Sequence, residues 1–390
     1  MNKPAFLLKW AQDIRASYWF IPAVMVIAAI ALSYVSQWID HNVDLLPFAL
    51  PDALINTQIE GARSTLSVIA TSVIGVTGVM FSMTILAVSF AAGNYGPRLI
   101  GNFMRDRGNQ ISLGILIATF VYTLMILRAV QDPSESGGID AFVPQYSMLI
   151  AVAGCLLAVF TMIYFVHHVP ETINVSNITA SLGAKLEAAI TAMIDAEEDL
   201  PDAPVVDFPD REVDHSVRVS PAGFIQTLDY RQIETICEDH DWQIEIVKIP
   251  GDFVTSSTVV LRIWADDGFT EKHLSDIQEC FAIGSSRTEN QNIFFLADEL
   301  VEMLARALSP GVNDPFTAIN CLNWMYNSMT VAERYKGGLG EEGARKSKLG
   351  PHLTRDALFK RCFLASKPYC ETDHLAHEHY KTLVARVNAG

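Results

Sequence analysis

What this sequence has little of is charge. Aspartate, glutamate, lysine and arginine make up 18% of its 390 residues, where soluble proteins carry about a quarter. The deficit is concentrated. Apolar residues crowd into roughly the first 170 positions, and charge and histidine gather afterwards, which separates a lipid part from a water part. Basic residues are the scarcer sign, 28 against 44 acidic ones, for a net charge of −16. That balance argues against a nucleic-acid partner, because phosphate binding requires a basic face.

Paired cysteines are missing too. Cys155, Cys237, Cys280, Cys321, Cys362 and Cys370 form no CxxC and keep no regular spacing. This excludes a zinc ribbon or a disulfide framework and reads as reduced, cytosol-facing thiols. No cleavable signal peptide is expected, since the first apolar run extends past an h-region and no small-residue cleavage site follows. No Ser-His-Asp motif, Walker loop or strand-to-helix GxGxxG is present. The GGLG at Gly337–Gly340 is followed by Glu341 and Glu342 and offers phosphate no basic cradle. The expectation is therefore no enzyme and no cofactor.

What the chain does have is long apolar runs. A helix of about 20 mostly apolar residues crosses a bilayer core, and four stretches qualify: 18–35, 62–92, 111–129 and 146–166. Trp10, Tyr18, Trp19, Trp38, Tyr95, Tyr146 and Tyr164 lie near their ends, as interfacial anchors do. Orientation follows from the short loops. Lys3, Lys9 and Arg15 precede span one, and Arg98, Arg105 and Arg107 follow span two. Asp40, Asp44, Asp52 and Glu60 lie between spans one and two, and Asp132, Glu135 and Asp140 between spans three and four. The basic loops, and with them both termini, are expected on the cytoplasmic side of a bacterial inner membrane.

Span two is unusual. Ser64, Ser67, Thr71, Gly75, Gly78, Ser82, Ile85 and Ser89 follow steps of three and four residues, and all but Ile85 are small or hydroxyl-bearing. The other faces carry residues such as Leu66, Ile69, Val73, Val79, Phe81 and Leu86. The plain reading is close helix packing, in which small residues let backbones approach. The sharper reading is a water-facing surface that lines a pore or cavity. In an oligomer both hold. No intramembrane carboxylate chain or arginine ladder is present, so neither a proton relay nor a voltage sensor is indicated. No matching halves suggest an inverted-repeat transporter.

The run NYGPRLIGNFMRDRGNQISLGILIATFVYTLMILR resembles the inner loop and third span of the bacterial membrane-protein family catalogued as domain of unknown function 2254. ALSPGVNDPFTAINCLNWM, from Ala307 to Met325, is similar to that family's second signature. HHVPETINVSNI, GFIQTLDY and PGDFV add support, and the resemblance covers nearly the whole chain. It implies a membrane fold and supplies no activity or ligand. Its inner-loop motif falls here on Gly96, Pro97, Arg98, Asn102, Arg105, Asp106 and Arg107. One departure is VTSSTVVLRIW, which follows PGDFV where the resemblance implies a shorter, glycine-containing turn.

After His167 and His168, beside Glu171, Ile178, Leu182, Leu186, Ile190 and Met193 recur at helical spacing. They predict either a helix packed on the soluble domain or a stem that bundles with copies of itself. Residues 199–210 form an acidic, proline-rich linker. Beyond it, strands are expected at 223–228, 243–249 and 258–264, with a turn at Pro250-Gly251-Asp252, and helices at 230–239 and 270–281.

Two further helices meet at SPGVNDP. Gly311 suits the end of the first, where a positive φ is often needed. Asn313 or Asp314 suits the cap of the second, with Pro315 in its first turn. Ser309, Pro310, Gly311, Asn313, Asp314 and Pro315 thus have structural duties, and a helix N-terminus that attracts anions is the functional alternative. Cys370, His374, His377, Glu378 and His379 match no standard zinc spacing, so no metal is expected. Residues 336–348 read as a glycine-rich basic loop.

The expected architecture is membrane α-helical over residues 1–170, with an amphipathic helix and acidic linker over 171–214. A cytoplasmic α+β domain with a helical C-terminal part fills 215–390. Two functions compete. One is a homo-oligomeric channel or permeation protein lined by span two. The other is a non-transporting scaffold or sensor whose cytoplasmic domain binds a partner or small ligand. Besides the lipid bilayer and further copies of itself, the sequence names no partner.

Overall fold

A computed structural model describes residues 17–43, 57–96, 106–131, 142–198, 211–265, 268–289, 291–334 and 354–389. The chain divides into two compact units. One runs through the apolar helices to Asn174, and the other takes in Asn94–Gly96 and the chain from Val175 onward.

The first unit holds four helices long and apolar enough to cross a membrane: α1 (Phe20–His41), α2 (Ile59–Tyr95), α3 (Arg107–Ala129) and α4 (Gln145–Thr172). All four helices outrun the apolar stretches that predict them at one end or both, because the flanking polar residues continue the helical hydrogen bonding. Leu66 and Ala62 of α2 pack on Tyr122 and Ile126 of α3 and Met148 and Ala151 of α4. Ile69, Val73, Met80 and Ala87 pack on Leu116, Ala158, Phe165 and Val169. Lipid is as apolar as leucine, so association rests on close fit and on buried hydrogen bonds. One such network joins three helices. Ser36 Oγ lies 2.9 Å from Tyr122 Oη, which donates to Ser147 O at 3.1 Å.

The second unit begins with α5 (Val175–Glu198). The chain therefore divides at Val175, ahead of the linker at 199–210, which lies outside the described residues along with the loop at 336–348. Leu182, Leu186, Ile190 and Ile194 of α5 are all buried, each contributing roughly 1.5–3 kcal/mol. They are covered within the chain. α5 lies along α9 (Pro315–Ala332), and Asn320 Nδ2 donates to Thr179 Oγ1 and Asn327 Nδ2 to Glu187 Oε2, both at 2.7 Å. A stem that bundles with its copies through this face is thereby overturned. The buried seam also runs through Ile194, whereas Ile178 and Met193 are only half-buried.

Between α5 and α9 lies a small α+β module: β1 (His215–Arg218), β2 (Gly223–Leu228), α6 (Tyr230–His240), β3 (Gln243–Ile246), β4 (Phe253–Val254), β5 (Val259–Trp264), α7 (Glu271–Glu279) and β6 (Phe281–Gly284). The ladders form two three-stranded antiparallel sheets, β1-β5-β3 and β4-β2-β6. Read through the breaks between β1 and β2 and between β4 and β5, the strand order is β6, β2/β1, β4/β5, β3. This is the arrangement of a ferredoxin-like βαββαβ unit. Ile233 of α6 and Ile277 of α7 join Ile225, Ile244, Ile246 and Ile263 in one core.

The sequence reading is corrected at three points here. β3 stops at Ile246, and Phe253–Val254 forms a separate strand paired with β2. β1 lies where the sequence pattern marks no strand. The helix expected to reach Phe281 ends at Glu279, and Phe281 opens β6. Four residues are too few for a period to reveal a strand fused to a helix. The remaining described elements of the unit are helices: α8 (Ile293–Ala307), α9, a broken helix over Arg355–Cys370 with a π-helical turn at Lys360–Leu364, and a last helix, His374–Ala389.

Candidate functional site

The buried side of α2 is set by Ala62, Leu66, Ile69, Ala70, Val73, Thr77, Met80, Thr84, Ala87 and Ala91. Ser64, Ser67, Thr71, Gly75, Gly78, Ser82, Ile85 and Ser89 are all exposed. At 3.6 residues per turn, the centre of this stripe lies about 160° round the helix from the centre of the buried face. Packing of the stripe inside the chain's own bundle is thus overturned, and a Cβ added at Gly75 or Gly78 would meet nothing within 4 Å. Large exposed side chains border it on both sides, with Val68, Val79 and Leu86 on one flank and Ile74 and Phe81 on the other. Thr77 and Thr84, on the buried side, return their hydroxyl protons to Val73 O and Met80 O. On the stripe, Ser82 Oγ donates to Gly78 O at 2.9 Å.

Of the inner-loop motif, Pro97, Arg98, Asn102 and Arg105 lie outside the described residues. Gly96 has φ +128°, a conformation that disfavours a side chain, and an added Cβ would come 2.9 Å from Glu302 Oε1. Asp106 is the N-cap of α3. Its Oδ1 accepts from Asn109 N at 2.8 Å and lies 2.9 Å from His168 Nε2. The Tyr164 ring stacks on His168 at 4.9 Å. Gly108 leaves the room, since a Cβ there would fall 2.5 Å from His168 Nε2. Arg107, the first residue of α3, is exposed. His167 instead pairs with Glu171 at 3.3 Å on the exposed side of α4.

At the junction motif the chain reverses between α8 and α9. Ser309 Oγ donates to Arg306 O at 2.6 Å, and Ser309 O accepts from Val312 N and Asn313 N. The residue with positive φ is Asn313, at +50°, not Gly311, whose expected role is corrected. Asn and Asp tolerate the left-handed region because their short polar side chains bond locally. Asp314 caps α9, with one carboxylate oxygen on Thr317 N at 3.1 Å and the other on the Thr317 hydroxyl. Pro315 opens the helix, and Pro310 and Gly311 are exposed. The helix terminus is filled by the chain's own carboxylate.

The C-terminal cysteine and histidines diverge. Cys370 is fully buried, and burial pushes its thiol up to about 12. His379 Nε2 lies 2.7 Å from Asn323 Oδ1, while Lys381 holds Glu378 below the usual carboxylate range. Among the described residues no three His, Cys, Asp or Glu side chains converge as metal ligands do. Two polar ties escaped sequence reasoning altogether. Asp40 caps α4 from the end of α1. Arg287 and Arg361 both bond to Asp298, which ties the β6–α8 loop to the π-helical turn. Their partners lie up to 107 residues apart in sequence, so no local signal marks them.

A family model described as "Predicted membrane protein (DUF2254)" matches residues 15–383. The chain belongs to this family. An uncharacterised protein of Mycobacterium bovis and one of Mycobacterium tuberculosis are each 29% identical to the chain over 267 residues. The match covers 67% of this chain and 50% of each relative, so the chain spans about half the length of the curated relatives it matches. No solved structure matches it. Membership agrees with the four apolar helices, and the protein is a membrane protein.

Proposed function

We propose that this protein forms a homo-oligomeric channel in the bacterial inner membrane. α2 lines the path, and the C-terminal unit, on the cytoplasmic side, assembles or gates it. The observation that carries this reading is the outward orientation of the Ser/Thr/Gly stripe, opposite the face that α2 buries in its own chain. Hydroxyls and bare glycine backbone gain little from hydrocarbon, and membrane proteins turn such groups to a neighbouring helix or to water. A ring of copies supplies both, with the apolar flanks at Val68, Leu86 and Phe81 meeting adjacent subunits. The basic loops beside the spans support the cytoplasmic placement.

The test is single-channel recording of the purified protein in planar bilayers, with Ser67→Leu, Thr71→Leu and Ser82→Leu beside the wild type. The expected result is a unitary conductance that at least two of the three variants reduce severalfold. A silent wild type, or unchanged conductance in all three variants, overturns the channel and leaves the non-transporting sensor.

A further inference from the structure

The sheet of the α+β module is interrupted on two facing strands at the same level. Arg218 pairs with Val259 and Gly223 with Val254, so residues 219–222 and 255–258 leave the ladder together. Backbone groups released in this way need other partners. Some find them inside the β4–β5 turn, where Thr258 N donates to Thr255 O and Thr255 N to Thr258 Oγ1. Beside the break a cavity of about 210 Å³ opens. Arg218, Ser220, Ser256 and Gln278 supply its polar lining, Phe281 and Ile283 give it an apolar wall, and among the described residues no carboxylate lines it.

Arg218 sits where the β1–β5 register slips, a bulge of the kind that re-aims a side chain. Its Nε reaches Ser257 O at 3.4 Å, and Gln278 Nε2 donates to Arg218 O at 2.6 Å. Four nearby arginines hold carboxylates: Arg211 pairs with Asp214, Arg262 with Glu245, and Arg287 and Arg361 share Asp298, while Arg231 on α6 lies outside the pocket lining. Among the described residues Arg218 has no ion pair. A guanidinium with free donors, beside hydroxyls and an aromatic wall, suits an oxyanion that carries an apolar group. The space equals about seven waters at roughly 30 Å³ each. That is enough for a carboxylate of a few carbons.

We propose that this cavity binds a small organic carboxylate, its oxygens on Arg218 and the Ser220 and Ser256 hydroxyls, its short apolar tail against Phe281 and Ile283. The site lies within the module, and its occupancy is read by binding, independently of conduction.

The experiment is equilibrium dialysis of the full-length protein in detergent against radiolabelled butyrate and hexanoate. Saturable binding of one ligand per chain is expected, with hexanoate severalfold tighter. Arg218→Gln should weaken it at least tenfold. Ser256→Phe, which fills the cavity and keeps the arginine, should abolish it, and Arg262→Gln should leave it unchanged. Circular dichroism and elution volume establish that each variant is folded. Absence of saturable binding, or binding unaltered in both Arg218→Gln and Ser256→Phe, overturns the proposal. Equal displacement of hexanoate by the same concentration of inorganic phosphate overturns it as well, because the apolar wall would then contribute nothing.

Discussion

Asp40, in the last turn of α1, holds the start of α4 through Ser147. Its Oδ2 accepts from Ser147 N at 3.0 Å and from the Ser147 hydroxyl, while Oδ1 accepts from Tyr146 N at 2.7 Å. A carboxylate at a helix N-terminus satisfies otherwise orphaned N–H groups and complements the helix dipole. Ser147 O in turn accepts from Tyr122, so three spans meet at this point.

Asp40→Ala should destabilise the membrane unit by about 1–2 kcal/mol, the usual cost of losing an N-cap. Asp40→Asn, which keeps one acceptor, should cost less. Chemical unfolding of the purified protein in mixed micelles measures both. Equal stability of Asp40→Ala and the wild type would mean that water replaces the carboxylate at no cost.

The junction between α8 and α9 makes an opposite pair of predictions at two neighbouring positions. Asn313 has φ +50°, so Asn313→Val should cost about 1–3 kcal/mol, whereas Asn313→Gly should be nearly neutral. Gly311 is exposed, lies outside the positive-φ region and has open space at its Cβ. Gly311→Ala should therefore leave stability unchanged or raise it by about 0.4–1 kcal/mol. Thermal unfolding of the two alanine and valine variants side by side distinguishes this arrangement from one with Gly311 in the left-handed position.

Cys321 and Cys362 are fully buried, and burial raises both thiols, Cys362 to about 12. In the unfolded chain a thiol titrates near ~8.5. The unfolded state therefore loses protons first as pH rises, and these two groups contribute stability that is intact below about pH 8.5 and lost as pH climbs towards 12. Unfolding midpoints at pH 7.5, 9 and 10 should fall more steeply for the wild type than for the Cys321→Ala/Cys362→Ala variant. Native protein should also resist iodoacetamide at these positions, because the reactive species is the thiolate. Rapid alkylation of either in the folded state would contradict their burial.

Much of this fold was legible in the sequence because its cues are local. A run of about 20 apolar residues meets the bilayer requirement by itself, and an Asp-Pro pair ahead of an apolar run marks a helix start wherever it occurs. The stripe on α2 and the seam on α5 were visible as periods of three and four. Their partners were not. A period states that one face differs, not what covers it, and only the packed structure turned the α5 seam inward onto α9 and left the α2 stripe outside. The same limit hid the Asp40 cap, the two arginines on Asp298 and the paired breaks that open the cavity at Arg218. Each joins residues distant in sequence, and composition carries no record of which backbone will stand opposite which. Sequence by itself determined the solvent each segment lives in, through hydropathy summed along the chain. Tertiary structure decided which polar groups meet, because hydrogen bonds and steric fit act over a few ångströms between elements that only folding brings together.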